Sequence, residues 1–230
     1  MGEGRILVVD NEPQIRRVMR TTLIAAGFEV DDARTAEEAL DRMRSAKHDL
    51  VLLDINMPGM NGFEACQAIR AVSEMPIIVL TVRTGDKDKV QAFESGADDY
   101  VTKPFSTPEL LARITVAMKR NLVPGTVGRS RVQLGDIEID FEARQVIGPK
   151  GPIRLTPTEF ELLSYLVAHA NKTIGHSELL RAVWGPDYGG ENEYLRVFVN
   201  HLRKKLEHTP TKPKYLLTDP WAGYRLYLPK

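Results

Sequence analysis

The chain has 230 residues, 43% of them apolar, which is enough for one large domain or two ordinary ones with real cores. Its net charge is zero, and no apolar run approaches the ~20 residues that a membrane-spanning helix needs, so no such helix is expected. Its single cysteine, Cys66, excludes an internal disulfide and points to a reducing cytoplasm.

The opening "MGEGRILVVD" enters a strand-like run directly and shows no signal-peptide core. Five such runs follow one another: "RILVVD", "FEVDDA", "DLVLLD", "PIIVLT" and "DYVTKP". Between them lie helical patterns. "PQIRRVMRTTLIAAG" carries Ile15, Val18, Met19 and Thr22 at helical spacing. "TAEEALDRM" opens with Thr35 and Glu38 at capping-box spacing. Three more stretches follow near Gly62–Val72, Asp86–Ser95 and Thr107–Arg120. Strand and helix alternate five times, which predicts a parallel sheet with helices on both faces. Near-continuous apolar strands such as Ile77 to Leu80 fit burial on both sides.

"NLVPGTVGRS" breaks the pattern, with Pro124, Gly125 and Gly128 marking a linker. The expected organisation is therefore a first domain over 1–121, a linker over 122–129 and a second domain over 130–230. Residues 1–121 carry 16 basic and 19 acidic side chains, net −3; the remainder carries 15 and 12, net +3. That small difference hints at a polyanion partner for the second half.

The second half begins with alternating, strand-like sequence broken by Gly-Pro turns. "LTPTEFELLSYLVAHA" then predicts a helix with Thr156 as cap, Pro157 at its first position and Glu159 closing the box. "SELLRAVW" and "ENEYLRVFVNHLRKKLEH" predict two more helices, and "YLLTDPWAGYRLYL" a closing hairpin. In the third helix Leu195, Phe198, Val199, Leu202 and Leu206 form an apolar face. Arg196, Asn200, Arg203 and Lys204 lie on the other side, where Arg can pair with guanine edges or phosphates and Asn with adenine edges. Three helices and a hairpin describe a winged helix-turn-helix, with the last helix in the major groove of double-stranded DNA. Trp221, Tyr224 and Arg225 sit at or beside the hairpin turn, where Tyr224 and Arg225 are candidate DNA contacts and the arginine can reach a phosphate or the minor groove, and Trp184 reads as core.

Ligands of an open parallel sheet bind beyond the carboxyl ends of its strands. Four predicted strands end there in polar residues: Asp10-Asn11 with Glu12 beyond, Asp54, Thr81, and Lys103. A lone Asp after an apolar strand reads as a turn or cap residue. The conjunction over four strand ends argues for a site. Clustered carboxylates suit a hard cation such as Mg²⁺, Asp54 can attack phosphorus, Lys103 can balance phosphoryl charge, and Thr81 offers a hydroxyl.

The motifs "VVDNEP", "LLDINMPGMNG", "VLTVR" and "GADDYVTKPF" resemble a two-component receiver domain over the whole first half. "LTPTEFELLSYL", "ELLRAVWG", "VNHLRKKLE" and "GYRLYL" resemble the winged-helix domain of the OmpR/PhoB family. Within that family, "WGP" with "YLRVFVNHLRKKLE" resembles the regulators of potassium-uptake genes. The resemblance implies an α/β flavodoxin-like, doubly wound five-stranded parallel sheet of order 2-1-3-4-5, then an α+β winged helix. It implies Asp54 as phosphoacceptor for a sensor histidine kinase. It also implies Mg²⁺ held by the first-strand acids, Asp54 and the carbonyl of Asn56, a Thr81/Tyr100 switch pair, and Lys103 as phosphoryl contact.

The implied output is a phosphorylated homodimer on promoter DNA, with RNA polymerase a further partner left open. Candidate dimer pairs are Lys89 with Glu109 and Asp99 with Arg113, leaving Arg120 to Glu94, since Ser95 stands where related chains carry an acid. Asn11 stands where a direct metal-ligating acid is expected, which predicts weaker Mg²⁺ binding. Val82 replaces a smaller residue beside Thr81. Two alternatives remain: a phosphate-independent DNA-binding regulator, and an aspartyl-phosphate phosphohydrolase. The second lacks the acid that chemistry needs two residues after the nucleophile, where Asn56 stands.

Overall fold

A computed structural model of the chain describes residues 4–57, 61–83, 85–119 and 131–229. It divides into two compact units, Met1–Met118 and Lys119–Lys230. The expected linker and Arg120 lie outside the described residues.

The first unit alternates β1 (Arg5–Val9), α1 (Pro13–Ala25), β2 (Glu29–Ala33), α2 (Ala36–Ser45), β3 (Leu50–Asp54), α3 (Gly62–Val72), β4 (Ile77–Thr81), α4 (Asp86–Glu94), β5 (Asp99–Thr102) and α5 (Thr107–Lys119). The strands form one parallel sheet in the order β2-β1-β3-β4-β5. Because side chains alternate across a strand, Ile6, Val8, Leu50, Leu52, Ile78, Leu80 and Val101 share one face. There they pack with Met19 and Leu23 of α1 and Leu110 and Ile114 of α5. The intervening Leu7, Val9, Val51, Leu53, Ile77 and Val79 are equally buried. A sheet covered on both faces explains the unbroken apolar strands.

The capping box expected at Thr35 departs from its sequence signature. At Thr35 only half the expected box forms: the Glu38 amide donates to Thr35 Oγ1, but the Glu38 carboxylate accepts from the Arg34 amide instead. A full box caps α3 through Asn61 and Glu64.

The second unit opens with a four-stranded antiparallel sheet, β6 (Arg131–Leu134), β7 (Ile137–Asp140), β8 (Gln145–Gly148) and β9 (Gly151–Pro152). Three helices follow, α6 (Pro157–Ala168), α7 (His176–Trp184) and α8 (Asn192–Leu206), then a hairpin of β10 (Leu216–Asp219) and β11 (Gly223–Leu226). Thr156 and Glu159 form the predicted box before α6. Trp184 is buried edge-on against Phe198, 4.9 Å between centroids, as a core residue should be. The hairpin is stapled to the segment before α7 by paired backbone hydrogen bonds between Ile174 and Tyr224. Gly223 makes that approach possible: its φ is +144°, and a Cβ there would lie 1.9 Å from the Ile174 carbonyl oxygen. No helix among the described residues is long and apolar enough to cross a membrane.

Cys66, on α3, is fully buried, and burial pushes its thiol up to about 12. The thiolate is the reactive form. The folded protein is therefore expected to resist a thiol-exchange reagent at pH 8 and to react with one equivalent once denatured, measured by released chromophore. Rapid labelling of the native chain would contradict this packing of α3.

Candidate functional site

The carboxyl ends of β1, β3, β4 and β5 lie side by side because the chain reverses strand order between β1 and β3. Register sets Asp54 against Leu80 and Thr81 against Thr102. Lys103, one residue past β5, reaches back across this edge. Its Nζ donates at 2.9 Å to Asp10 Oδ2 and at 2.9 Å to Asp54 Oδ2. The Asp54 side chain is 3% exposed and that of Asp10 is fully buried. Burial raises the Asp10 carboxyl above its ordinary range, against the Glu12 amide and Lys103, which hold it down. Burial alone would lower the Lys103 ammonium, but its bonds to Asp54 and Asp10 outweigh this and hold it raised.

The other oxygens are also engaged. The Glu12 amide donates to Asp10 Oδ1, and the Asn56 amide to Asp54 Oδ1 at 2.9 Å. Thr81 Oγ1 accepts from the Arg83 amide at 2.9 Å and faces the Asn56 side-chain amide at 3.5 Å. Tyr100 is buried, its hydroxyl bonded to Thr102 Oγ1 and the Lys89 ammonium 5.2 Å from its ring centroid. The two hydroxyls of the expected switch pair thus hold separate partners. Val82 is 61% exposed at the rim.

The donors fit a hard cation in kind: two carboxylates, the Asn11 amide and a backbone carbonyl, all oxygen. They are sparse in charge. Glu12 is exposed, and no three His, Cys, Asp or Glu gather to hold a metal among the described residues.

The expected dimer charges are paired inside one chain. Arg113 lies 3.4 Å from both Asp99 and Glu109, and Lys89 lies 3.7 Å from Asp86. Asp99 is buried, so it does not present the surface charge that the sequence reading expected; Ser95, which stands where an acid is common, is buried as well.

In the second unit all five predicted apolar residues of α8 are buried. Arg196, Asn200 and Lys204 are exposed on the opposite side. Arg203 is a correction: its guanidinium donates to the Leu216 carbonyl at 2.8 and 2.9 Å and to Thr218 Oγ1 at 2.7 Å, tying α8 to β10. Tyr224 is another, since it is buried with its ring edge-on to His176 at 5.4 Å. Arg225 is a third, turned to Asp219 at 3.1 Å. Between α8 and the hairpin runs a groove of ≈ 600 Å³ whose lining includes His176, Arg196, Asn200, Thr218 and Trp221. Sequence reasoning assigned no role to His176 or Thr218; neither carries a motif, and only folding brings them to the groove.

Comparison with known proteins identifies the family of each half. Residues 6–115 match the response regulator receiver domain family, and 150–226 match the family of C-terminal domains of transcriptional regulatory proteins. The chain is 41% identical to the transcriptional regulatory protein KdpE of Mycobacterium tuberculosis H37Rv, over 96% of this chain and 97% of that one. The chain belongs to the OmpR/PhoB family of two-component response regulators.

This response regulator is also 38% identical to the KDP operon transcriptional regulatory protein KdpE of Escherichia coli K12, over 97% and 99% of the two chains. A solved mutant of RitR shares its fold at a TM-score of 0.78 and 23% identity, over 97% and 98% of the chains. Receiver domains of this family bind Mg²⁺ at the acidic pocket, and its members work with a sensor kinase and promoter DNA.

The two kinds of arginine on α8 should separate by measurement. Arg203→Ala leaves carbonyl and hydroxyl partners unmet and is expected to cost about 1–3 kcal/mol of stability in denaturant unfolding. Arg196→Ala, at an exposed site, should stay within about 0.5 kcal/mol. Equal, negligible costs would remove Arg203 from the fold.

Proposed function

We propose that this regulator is a phosphorylation-switched transcription factor in which Asp54 takes a phosphoryl group from a sensor histidine kinase. The observation that carries the reading is the Lys103 ammonium, 2.9 Å from both Asp54 and Asp10. An Asp54 oxygen attacks phosphorus and forms an acyl phosphate as the P–N bond of the kinase's phosphohistidine breaks, with the imidazole leaving on the kinase. Lys103 turns from the carboxylate pair toward the phosphoryl oxygens and balances their charge, and Thr81 offers a hydroxyl donor. Mg²⁺ would be held by Asp10, Asp54, the Asn11 amide oxygen and the Asn56 carbonyl, and when bound it supplies positive charge to the phosphoryl oxygens. The side chain two residues after Asp54 is the amide of Asn56, which accepts no proton from water, so phosphate is held as a signal and the chain is not a phosphohydrolase.

Phosphorylation then favours a receiver homodimer, which sets two α8 helices on two half-sites of promoter DNA in the cytoplasm. Arg196, Asn200 and Lys204 face the DNA. Genes of potassium uptake are the proposed targets, given the likeness to a KDP operon regulator, with RNA polymerase as the recruited partner.

Intact mass after treatment with acetyl phosphate tests the switch. Wild type should gain one phosphoryl group in a Mg²⁺-dependent manner, and Asp54→Ala should gain none. The sparse charge of the site favours one second reading, a phosphate-independent regulator, which an unmodified wild type would support.

Asn11→Asp adds a third carboxylate. Calorimetric titration should show it binding Mg²⁺ several-fold more tightly than wild type; equal affinities would mean that Asn11 does not limit the site.

A further inference from the structure

Trp221 stands at the tip of the wing, the turn between β10 and β11, and is fully exposed, more so than any other large apolar side chain among the described residues. Its φ is +66°, a left-handed conformation that a non-glycine residue adopts at a cost. The surrounding hairpin holds it there. The Ala222 amide donates to the Asp219 carbonyl, Thr173 and Arg225 both bond Asp219, and the Ile174–Tyr224 staple anchors the base. The indole is thus presented on a braced support and lines the same groove as Arg196 and Asn200 of α8.

The tip sequence, Asp219-Pro220-Trp221-Ala222, carries no cation. Arg225, the wing residue from which a phosphate contact was expected, is held by Asp219. Such a tip is unsuited to clamping phosphate. What it offers is a large, flat, rigid apolar surface, the chemistry by which proteins enter the minor groove and press on sugars or base steps.

We propose that Trp221 is an apolar wedge that engages the minor groove beside the major-groove segment read by α8. The proposal rests on the DNA-binding reading above. A wedge of this kind adds affinity without adding phosphate contacts, so it favours sequences that deform easily at the wing position.

The test uses the full chain and duplexes enriched from a random pool by the wild-type protein. The sequence has two tryptophans, and Trp184 is buried, so emission open to acrylamide reports Trp221. Adding an enriched duplex should shield that emission, and a minor-groove drug should restore its quenching. Trp221→Ala and Trp221→Gly should each weaken binding about tenfold, the scale of one lost stacking contact. The salt dependence of binding should stay at the wild-type slope, whereas Arg196→Ala should lower it by about one. Glycine relieves the left-handed backbone, so lost binding at an undiminished melting temperature is not misfolding. An indole still open to quencher in the complex, with both variants binding like wild type, overturns the wedge and leaves DNA binding standing. Shielding only by RNA polymerase overturns it in favour of a protein contact. Failure of wild type to enrich any duplex removes the wedge and the DNA-binding reading together.

Discussion

The receiver half is organised around one ammonium group. Two carboxylates at the ends of neighbouring strands repel each other, and burial makes each charge costlier still. Lys103 between Asp10 and Asp54 offsets both effects, and its own raised pKa is the counterpart of that service. A buried pair of this kind contributes little net stability. Its geometry is held by the sheet: β1 and β3 are hydrogen-bonded neighbours, buried where they approach the site, which keeps the two carboxylates together. The fold thus keeps a charged pocket in a state where a phosphoryl group can replace carboxylate contacts with Lys103.

In the winged-helix half, polar struts play the corresponding part. Arg203 joins α8 to β10 through its planar fork, which suits two acceptors at once. The Glu207 carboxylate, just beyond α8, accepts from the amides of Lys214, Tyr215 and Leu216. Lys205 reaches Glu159 at 2.5 Å and so ties the end of α8 to the start of α6. These bonds fix the spacing between helix and wing, so the groove is formed before any partner arrives. Preformed surfaces lose less conformational entropy on binding.

The α4–β5–α5 charges that a dimer would use are already satisfied within one chain, as Asp99–Arg113 and Arg113–Glu109. Exchanging such bonds across an interface conserves their number, so the partly exposed Arg113–Glu109 pair changes the energy by only ~0–1 kcal/mol, while Asp99 is buried and tied to its own chain. Register and phosphate-dependent positioning, more than new bonds, would then decide association.

Period and punctuation made much of this legible in the sequence. Five apolar strands, the Thr156–Glu159 box and the buried face of α8 are local patterns, and local backbone chemistry was enough to read them. The four strand-end polar residues converged because parallel topology allows few alternatives. Other assignments depended on what lies across space. Arg203, Tyr224 and Arg225 read as outward contacts because helix and turn positions say which way a side chain leaves the backbone. They do not say which carbonyl, hydroxyl or carboxylate waits beyond it, and Leu216, Thr218 and Asp219 are brought there only by the hairpin's return. The inward Asp99 has the same origin, its partner Arg113 coming from α5, whereas the half-formed box at Thr35 is local, set by the neighbouring Arg34 amide. The sequence by itself determined the elements, their order and the charged residues at the strand ends. Only the tertiary structure decided which charges are neutralised inside the fold and which are left, with Trp221, to meet a partner, because long side chains choose partners by distance in space and not along the chain.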